Sequence, residues 1–200
     1  MWDKLADDPT VDKTIAALRN NGFDVILVDS GEDAKKRVLG LIPEGTEVFA
    51  VTSTTTATIG LSNEIDTSGR YASVREKLKS MDRSKQGKEM NAIGSAPSWV
   101  VGSVHAITED GDLMIASATG SQLSPYAYGA EHVILVVGTH KIVKDIDDGF
   151  RRIYERSFVL ENERAKKAYG VGSSVNKILI LKKERKGRIT IVLVKEVLGF

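Results

Sequence analysis

The sequence predicts an α/β protein with a three-layer α/β/α arrangement on a mostly parallel sheet, plus an antiparallel hairpin and a C-terminal hairpin. Three observations predict it. Strand-like and helix-like segments alternate over residues 8–51. The run His132-Val133-Ile134-Leu135-Val136-Val137 is almost wholly apolar, as in a central strand covered on both faces. Two further pairs of strand-like segments, 100–107 with 113–116 and 178–181 with 189–194, are each joined by a polar turn.

The elements follow in order. Asp8 reads as an N-cap with Pro9 at the first helical position, and Val11, Ile15 and Leu18 recur at helical spacing up to Gly22. Residues 23–28 form a strand. Asp29-Ser30 caps a second helix that carries Ala34, Val38 and Leu41 on one face, and Pro43-Glu44-Gly45 ends it. Residues 47–51 form the next strand, so this β–α–β order predicts a parallel pair joined by a right-handed crossover. Residues 73–81 and 82–93 read as helices, and Ser95-Ala96-Pro97 stops them. Residues 100–107 read as one strand, Glu109-Asp110-Gly111-Asp112 as a tight turn, and 113–116 as the return. Helices follow at about 122–130, 145–156 and 161–169. A basic turn between 178–181 and 189–194 makes the closing hairpin.

Composition narrows the function. Two hundred residues suit one domain, 1–200, with a core that needs no staples. There is no cysteine, which excludes disulfides, a thiolate nucleophile and a cysteine-ligated zinc or iron–sulfur cluster on this chain. A net charge of +1 gives no general attraction to nucleic acid or an anionic membrane. Asp3, Lys4, Asp7, Asp8, Asp12 and Lys13 do not suit a signal peptide, and no apolar run approaches the ~20 residues that cross a bilayer. A cytoplasmic location is expected.

Two hydroxyl-rich segments follow strands, where open α/β sheets collect ligands. The first is Ser53-Thr54-Thr55-Thr56, in which four consecutive hydroxyls exceed the needs of one cap. The second is Ser117-Ala118-Thr119-Gly120-Ser121-Gln122, where Gly120 permits close backbone approach and Ser121 can cap a helix. Neither is a Walker A loop or a dinucleotide fingerprint. His105 joins the candidates as a group that titrates near neutral pH, and Lys141 as a cation at the end of the 132–137 strand. Thr119, Gly120, Ser121, Gln122, His105, Lys141 and residues 53–56 are therefore the expected ligand-binding set, converging on one anion pocket at one sheet edge. The doubtful link is strand direction, since 113–116 returns antiparallel to 100–107. His132 and His140 lack metal-ligand spacing with His105, so no metal site is expected. Glu109 and Asp110 read as turn residues. Lys182, Lys183, Arg185, Lys186 and Arg188 read as a solvated basic tip without the interleaved aromatics of a nucleic-acid surface.

The stretches Gly102-Ser103-Val104-His105-Ala106-Ile107-Thr108-Glu109-Asp110-Gly111, Ala116-Ser117-Ala118-Thr119-Gly120-Ser121-Gln122, Tyr128-Gly129-Ala130 and Val136-Val137-Gly138-Thr139-His140-Lys141-Ile142-Val143 resemble the signature of the LUD (lactate-utilisation) domain family. Val194-Lys195-Glu196-Val197-Leu198-Gly199-Phe200 is similar to the end of its short, stand-alone branch. The resemblance implies a fold of the glucosamine-phosphate deaminase, ribose-phosphate isomerase and CoA-transferase type, and a link to oxidation of L-lactate or a related acid. It also implies that 53–56 corresponds to a phosphate-binding loop and 117–122 to the glycine-rich segment facing the sugar in isomerases. Those isomerases carry a lysine where this chain has Ser117-Ala118.

Two functions compete. One is an accessory component of organic-acid utilisation that binds a small anionic metabolite or cofactor and docks to an iron–sulfur oxidoreductase partner. The other is an independent transferase or isomerase-like enzyme acting on a CoA ester or sugar phosphate, with Glu109 as the nearest carboxylate nucleophile. Neither the catalytic residues nor a cofactor is named by the residues, and a homo-oligomer is compatible with both functions.

Overall fold

A computed structural model describes residues 2–200. The chain opens with helix α1 (Asp8–Asn20), whose N-cap is Asp7 rather than Asp8. Asp7 accepts a hydrogen bond from the Thr10 N–H at 3.0 Å, which leaves Asp8 in the first turn beside the helix dipole. Strand β1 (Asp24–Val28) and helix α2 (Gly31–Leu41), capped by Ser30, follow as the apolar spacing predicts. Strand β2 (Glu47–Ala50) leads into two short helices, α3 (Thr54–Thr58) and α4 (Leu61–Thr67). A two-residue strand β3 (Ala72–Ser73) precedes helices α5 (Val74–Lys79) and α6 (Arg83–Ser95).

Residues 100–107 do not form one strand. They divide into β4 (Trp99–Gly102) and β5 (Ala106–Thr108), which belong to different sheets. Strand β6 (Leu113–Ser117) returns antiparallel to β5. The expected helix at 122–130 is a short turn centred on a π-helical segment, Pro125–Gly129. Strand β7 (His132–Gly138) is followed by a 3-10 turn, Thr139–Lys141, and by β8 (Ile142–Val143). The two helices expected over 145–169 are one continuous helical run: α7 (Ile146–Arg152), a π-helical segment (Ile153–Ser157) and α8 (Phe158–Tyr169), ended by Gly170 in the left-handed region. Strands β9 (Lys177–Leu181) and β10 (Ile189–Val194) close the chain.

The main sheet has six strands in the order β1-β10-β7-β4-β2-β3, with every neighbouring pair parallel. The α/β class therefore holds, but two expectations about pairing do not. First, β1 and β2 run parallel without being neighbours, because β10, β7 and β4 lie between them. The later strands are the more apolar, and they take the central places where both faces are covered. Second, β9 and β10 make no hairpin. β9 pairs antiparallel with β6 in a second sheet of order β8-β5-β6-β9, and β10 inserts between β1 and β7.

Burial follows the strand period of two. Val133, Leu135 and Val137 of β7 pack with Val11, Ile15 and Leu18 of α1 and with Ile107, Leu113 and Ile115 of the second sheet. Ile134 and Val136 face the other way, onto Ala34 and Val38 of α2 and Leu61 and Ile65 of α4. The second sheet turns its opposite face, Ala106, Met114 and Ala116, towards Ile146, Phe150 and Ile153. Among the described residues no helix is long and apolar enough to cross a membrane.

The basic segment before β10 is more than a solvated tip. Arg188 is buried, and its guanidinium donates to the carbonyls of Pro125, Tyr126 and Ala130 at 2.9–3.0 Å, so it ties together the backbone acceptors around the π-helical segment. The same segment meets the end of α1. The Glu184 N–H donates to the Asn21 carbonyl at 2.9 Å, and a Cβ added to Gly22 would lie 2.0 Å from the Glu184 carbonyl oxygen. Gly22 also has φ +91°, which side chains rarely adopt. Gly22→Ala should therefore destabilise the protein by about 1–3 kcal/mol, read as a lowered midpoint in urea unfolding with little change in slope.

Candidate functional site

The parallel strands end together, so the segments that leave β2, β4 and β7 share one edge of the main sheet. The second sheet and the α7–α8 run close over that edge, leaving a cavity of about 370 Å³. Ser53, Thr54, Thr55, His105, Thr119, Ser121, Gln122 and Lys141 all line it. The two hydroxyl segments thus converge, though by a different route from the one expected: 53–56 follows a strand of the main sheet, and 117–122 follows β6 of the second. Thr56 and Gly120 lie outside the lining.

Most of the hydroxyls already have partners. Ser53 caps α3 by accepting from the Thr56 N–H. Thr56 is buried, bonded to the Ser53 carbonyl at 3.2 Å and to the Ser62 hydroxyl at 2.8 Å. Thr55 donates to the Leu198 carbonyl at 3.1 Å. In the second loop the Gly120 N–H donates to Ser117 Oγ at 2.8 Å, and Ser117 Oγ donates to Gln122 Oε1 at 3.1 Å. Gln122 Nε2 donates in turn to the Ala116 carbonyl at 3.2 Å. Ser121 caps no helix; its N–H donates to Thr119 Oγ1 at 3.3 Å. Gly120 has φ +90°, and a Cβ there would lie 2.9 Å from Lys177 Cδ, so glycine answers both the turn and the packing.

Lys141 is the group that sets the chemistry. It is 1% exposed. Its Nζ donates to Thr55 Oγ1 at 2.9 Å, Ser103 Oγ at 3.2 Å and the Val104 carbonyl at 3.2 Å. All three partners are neutral, and no carboxylate among the described residues pairs with the amine. Burial, and secondarily the Arg152 guanidinium, hold its pKa well below the ordinary lysine value. Arg152 is 0% exposed and also has no carboxylate partner. It donates to the His105 carbonyl, and to Ser157 Oγ at 3.2 Å, while its Nε and Nη2 have no partner. Burial, opposed in part by Asp3, lowers it to about 10.

His105 is not a strand residue, since it lies in the break between β4 and β5. Its Nδ1 accepts from the Ala116 N–H at 3.1 Å, which fixes the proton of the neutral ring on Nε2. Burial first, then Lys141 and Arg152, lower its pKa to about 3, so the ring is neutral at physiological pH. On the facing wall, Arg164 and Glu161 of α8 form a two-pronged pair at 2.7 and 2.8 Å. Glu109 lies outside the lining and pairs with Lys13 at 2.8 Å, in keeping with its turn reading. His132 stacks on Trp99 at 4.2 Å between ring centroids, and His140 is buried apart from the cavity lining.

Ser103, Glu161, Arg164 and Arg152 are absent from the expected set. Ser103 borders His105, but a lone serine in an apolar stretch carries no signal. Arg152 was legible in principle. It falls between Gly149 and Ile153 and Arg156 on the inward face of a helix, although Arg151-Arg152 reads as an exposed basic pair.

The fold is that of an α/β protein with a six-stranded parallel sheet and a cavity at the carboxyl ends of its strands, where open α/β sheets collect ligands. The chain belongs to the LUD domain family, whose model matches residues 11–198. In fold it is similar to a DUF162 family protein from Deinococcus radiodurans, with a TM-score of 0.58 at 10% identity over 96% of this chain and 99% of that one. Its likeness to eIF2B beta from Chaetomium thermophilum is loose, with a TM-score of 0.37 at 15% identity over 57% of this chain and 39% of the other. No curated protein matches it in sequence.

The buried amine has a measurable cost. Between its lowered folded value and its unfolded value near 10.5, the unfolded chain binds more protons than the folded one, so stability rises with pH across that window. Below the folded value the penalty is constant and largest. Lys141→Met removes the charge at similar volume. It should stabilise the fold by about 1–4 kcal/mol at neutral pH, with the difference shrinking towards pH 10.5, as read from urea unfolding at a series of pH values.

Proposed function

We propose that the chain is a ligand-binding component of organic-acid utilisation, and that its cavity holds a small carboxylate. One observation carries this reading. Lys141 is a buried amine at the cavity wall that, among the described residues, has no carboxylate to pair with when it is protonated, and the buried Arg152 guanidinium behind it has none either. Removing a cation from water without a counter-charge is expensive, and an incoming carboxylate supplies that counter-charge. The only acidic residue in the lining, Glu161, is already engaged by Arg164. Thr54, Thr119 and Ser121 supply hydroxyls around the ligand, and His105 Nε2 supplies a neutral donor. At about 370 Å³ the cavity lies near the lower end of the usual range for small-molecule sites.

Membership of the LUD family ties the chain to lactate utilisation in general terms. The absence of cysteine leaves this chain no thiolate with which to hold an iron–sulfur cluster. In this reading the electrons of acid oxidation are carried by an iron–sulfur oxidoreductase partner, while this chain holds the acid in the cytoplasm.

Anion binding stabilises the ammonium form of Lys141, so binding takes up a proton wherever the free amine is neutral. Affinity for L-lactate, pyruvate or acetate should therefore rise as pH falls from the ordinary lysine value towards the lowered value of Lys141, and level off below that lowered value. Calorimetric titration across that range is the test, and a pH-independent affinity would refute the role of Lys141. Ser121→Asp places a carboxylate at an exposed position on the rim, so it should weaken acid binding at least about tenfold, a loss of about 1.4 kcal/mol, while leaving the melting temperature unchanged.

A further inference from the structure

Ser103 leaves β4 and Lys141 leaves β7, two neighbouring strands of the parallel sheet. Their side chains meet with Nζ 3.2 Å from Oγ. The amine is buried behind the hydroxyl, whereas Ser103 is only half-buried and lines the cavity. Thr55 Oγ1 is nearer the amine at 2.9 Å but is fully covered; each hydroxyl donates to a carbonyl, Thr55 to Leu198 at 3.1 Å and Ser103 to Val104 at 3.3 Å, so burial is what separates them. Of the two hydroxyls, Ser103 is therefore the one a ligand can reach.

We infer that Ser103 is a nucleophile and Lys141 its general base, and that the cavity cleaves or transfers the acyl group of a small ester or thioester. A serine hydroxyl attacks a carbonyl only when a base within hydrogen-bond reach takes its proton. Lysine can serve once it has lost its proton; burial lowers this lysine's pKa, no carboxylate among the described residues holds the proton, and its loss frees Nζ to accept from Ser103 Oγ 3.2 Å away. In the first step Oγ bonds to the acyl carbon while Nζ takes the hydroxyl proton, and the carbonyl π electrons move onto oxygen. Collapse expels the alkoxide or thiolate, which takes that proton from Nζ, and leaves acyl-Ser103. Water attacks the new ester, again giving its proton to Nζ. Oγ then leaves, regains a proton, and the free acid remains. No oxidant or reductant enters.

His105 is two residues from Ser103 and lines the same cavity. Its Nδ1 is occupied by the Ala116 N–H, so Nε2–H is its free donor and can meet the oxygen of the tetrahedral intermediate. This proposal rests on the reading of the cavity as a small-acid site and gives that acid an origin, as product. The carboxylate is formed beside a lysine that can take up its proton.

The test is covalent labelling of the full chain with a fluorophosphonate, followed by intact mass and peptide mapping. One adduct per chain on Ser103 is expected. Ser103→Ala should take no label. Lys141→Met should label about a hundredfold more slowly, the usual loss on removing a general base, and so should Lys141→Arg, which puts a permanent cation in place of the base. Thermal melting reports which variants are folded. An unlabelled Ser103 in the wild type, or wild-type labelling rates in both folded Lys141 variants, would overturn the proposal. L-lactate binding without labelling overturns the nucleophile and leaves the acid site standing. Labelling without L-lactate binding upholds the nucleophile and removes the acid reading.

Discussion

The fold is organised around an amine that it declines to neutralise. Three oxygen atoms, from Thr55, Ser103 and Val104, surround Lys141 Nζ, and none carries a charge. Each arrives from the carboxyl end of a parallel strand, so the cage exists only because β2, β4 and β7 stop at a common edge. A carboxylate in the same place would have made an ordinary buried ion pair, with a charged and inert lysine. The neutral cage instead leaves Lys141 without a counter-charge, and the proposed function turns on that.

The surrounding architecture keeps water away from that amine. The second sheet covers the main sheet with Ile107, Leu113 and Ile115 and presents its other face to the α7–α8 run. That run contains a π-helical turn at Ile153–Ser157, and such turns widen a helix by one residue and often mark functional sites. Here the wider turn begins directly after Arg152 and ends at Ser157, the hydroxyl that Arg152 reaches. Arg152 in turn holds the carbonyl of His105, in the break between β4 and β5. The helix irregularity, the strand break and the site are thus linked through one buried guanidinium. The second π-helical turn, Pro125–Gly129, places Tyr126 under the cavity. There Gly102 must lack a side chain, because a Cβ would lie 1.8 Å from the tyrosine oxygen.

Local pattern made much of this legible. The capped amphipathic helices α1 and α2, the buried run of β7 and the tight turn before β6 follow from residue spacing, and the two hydroxyl loops and Lys141 were legible as candidates, most of which line one cavity. What failed was long-range pairing. Residues 178–181 and 189–194 look like a hairpin because a short polar turn separates them, yet each pairs elsewhere: β9 with β6, buried throughout, and β10 with β7, buried from Val133 to Gly138. Burial on both faces outweighs the low entropic cost of closing a short loop. The break at Ser103, Val104 and His105 was hidden for a related reason. An apolar stretch that leaves one sheet and enters another keeps a strand-like composition throughout.

The hydroxyl loops show why residue type alone misjudges a site. Four consecutive hydroxyls suggested four ligand contacts, but Ser53 and Thr56 serve the backbone of α3, and Thr55 serves Lys141 and the segment after β10. Gly199 enforces that last contact, since its φ is +64° and a Cβ would come within 2.4 Å of Thr55 Oγ1. The hydroxyl run is thus mainly a scaffold that fixes where Nζ sits, with Thr54 left to face the cavity. The same logic applies across the cavity, where Ser117 and Gln122 hold the 117–122 loop closed on itself and leave Thr119 and Ser121 towards the rim. The chemistry therefore concentrates on few atoms: one amine, one reachable hydroxyl beside it, and one imidazole N–H whose tautomer is set by a backbone donor. In the proposed reading, such a site would suit a small, singly charged or acyl-bearing molecule better than a phosphate. A phosphate would need more donors than the loops have left free.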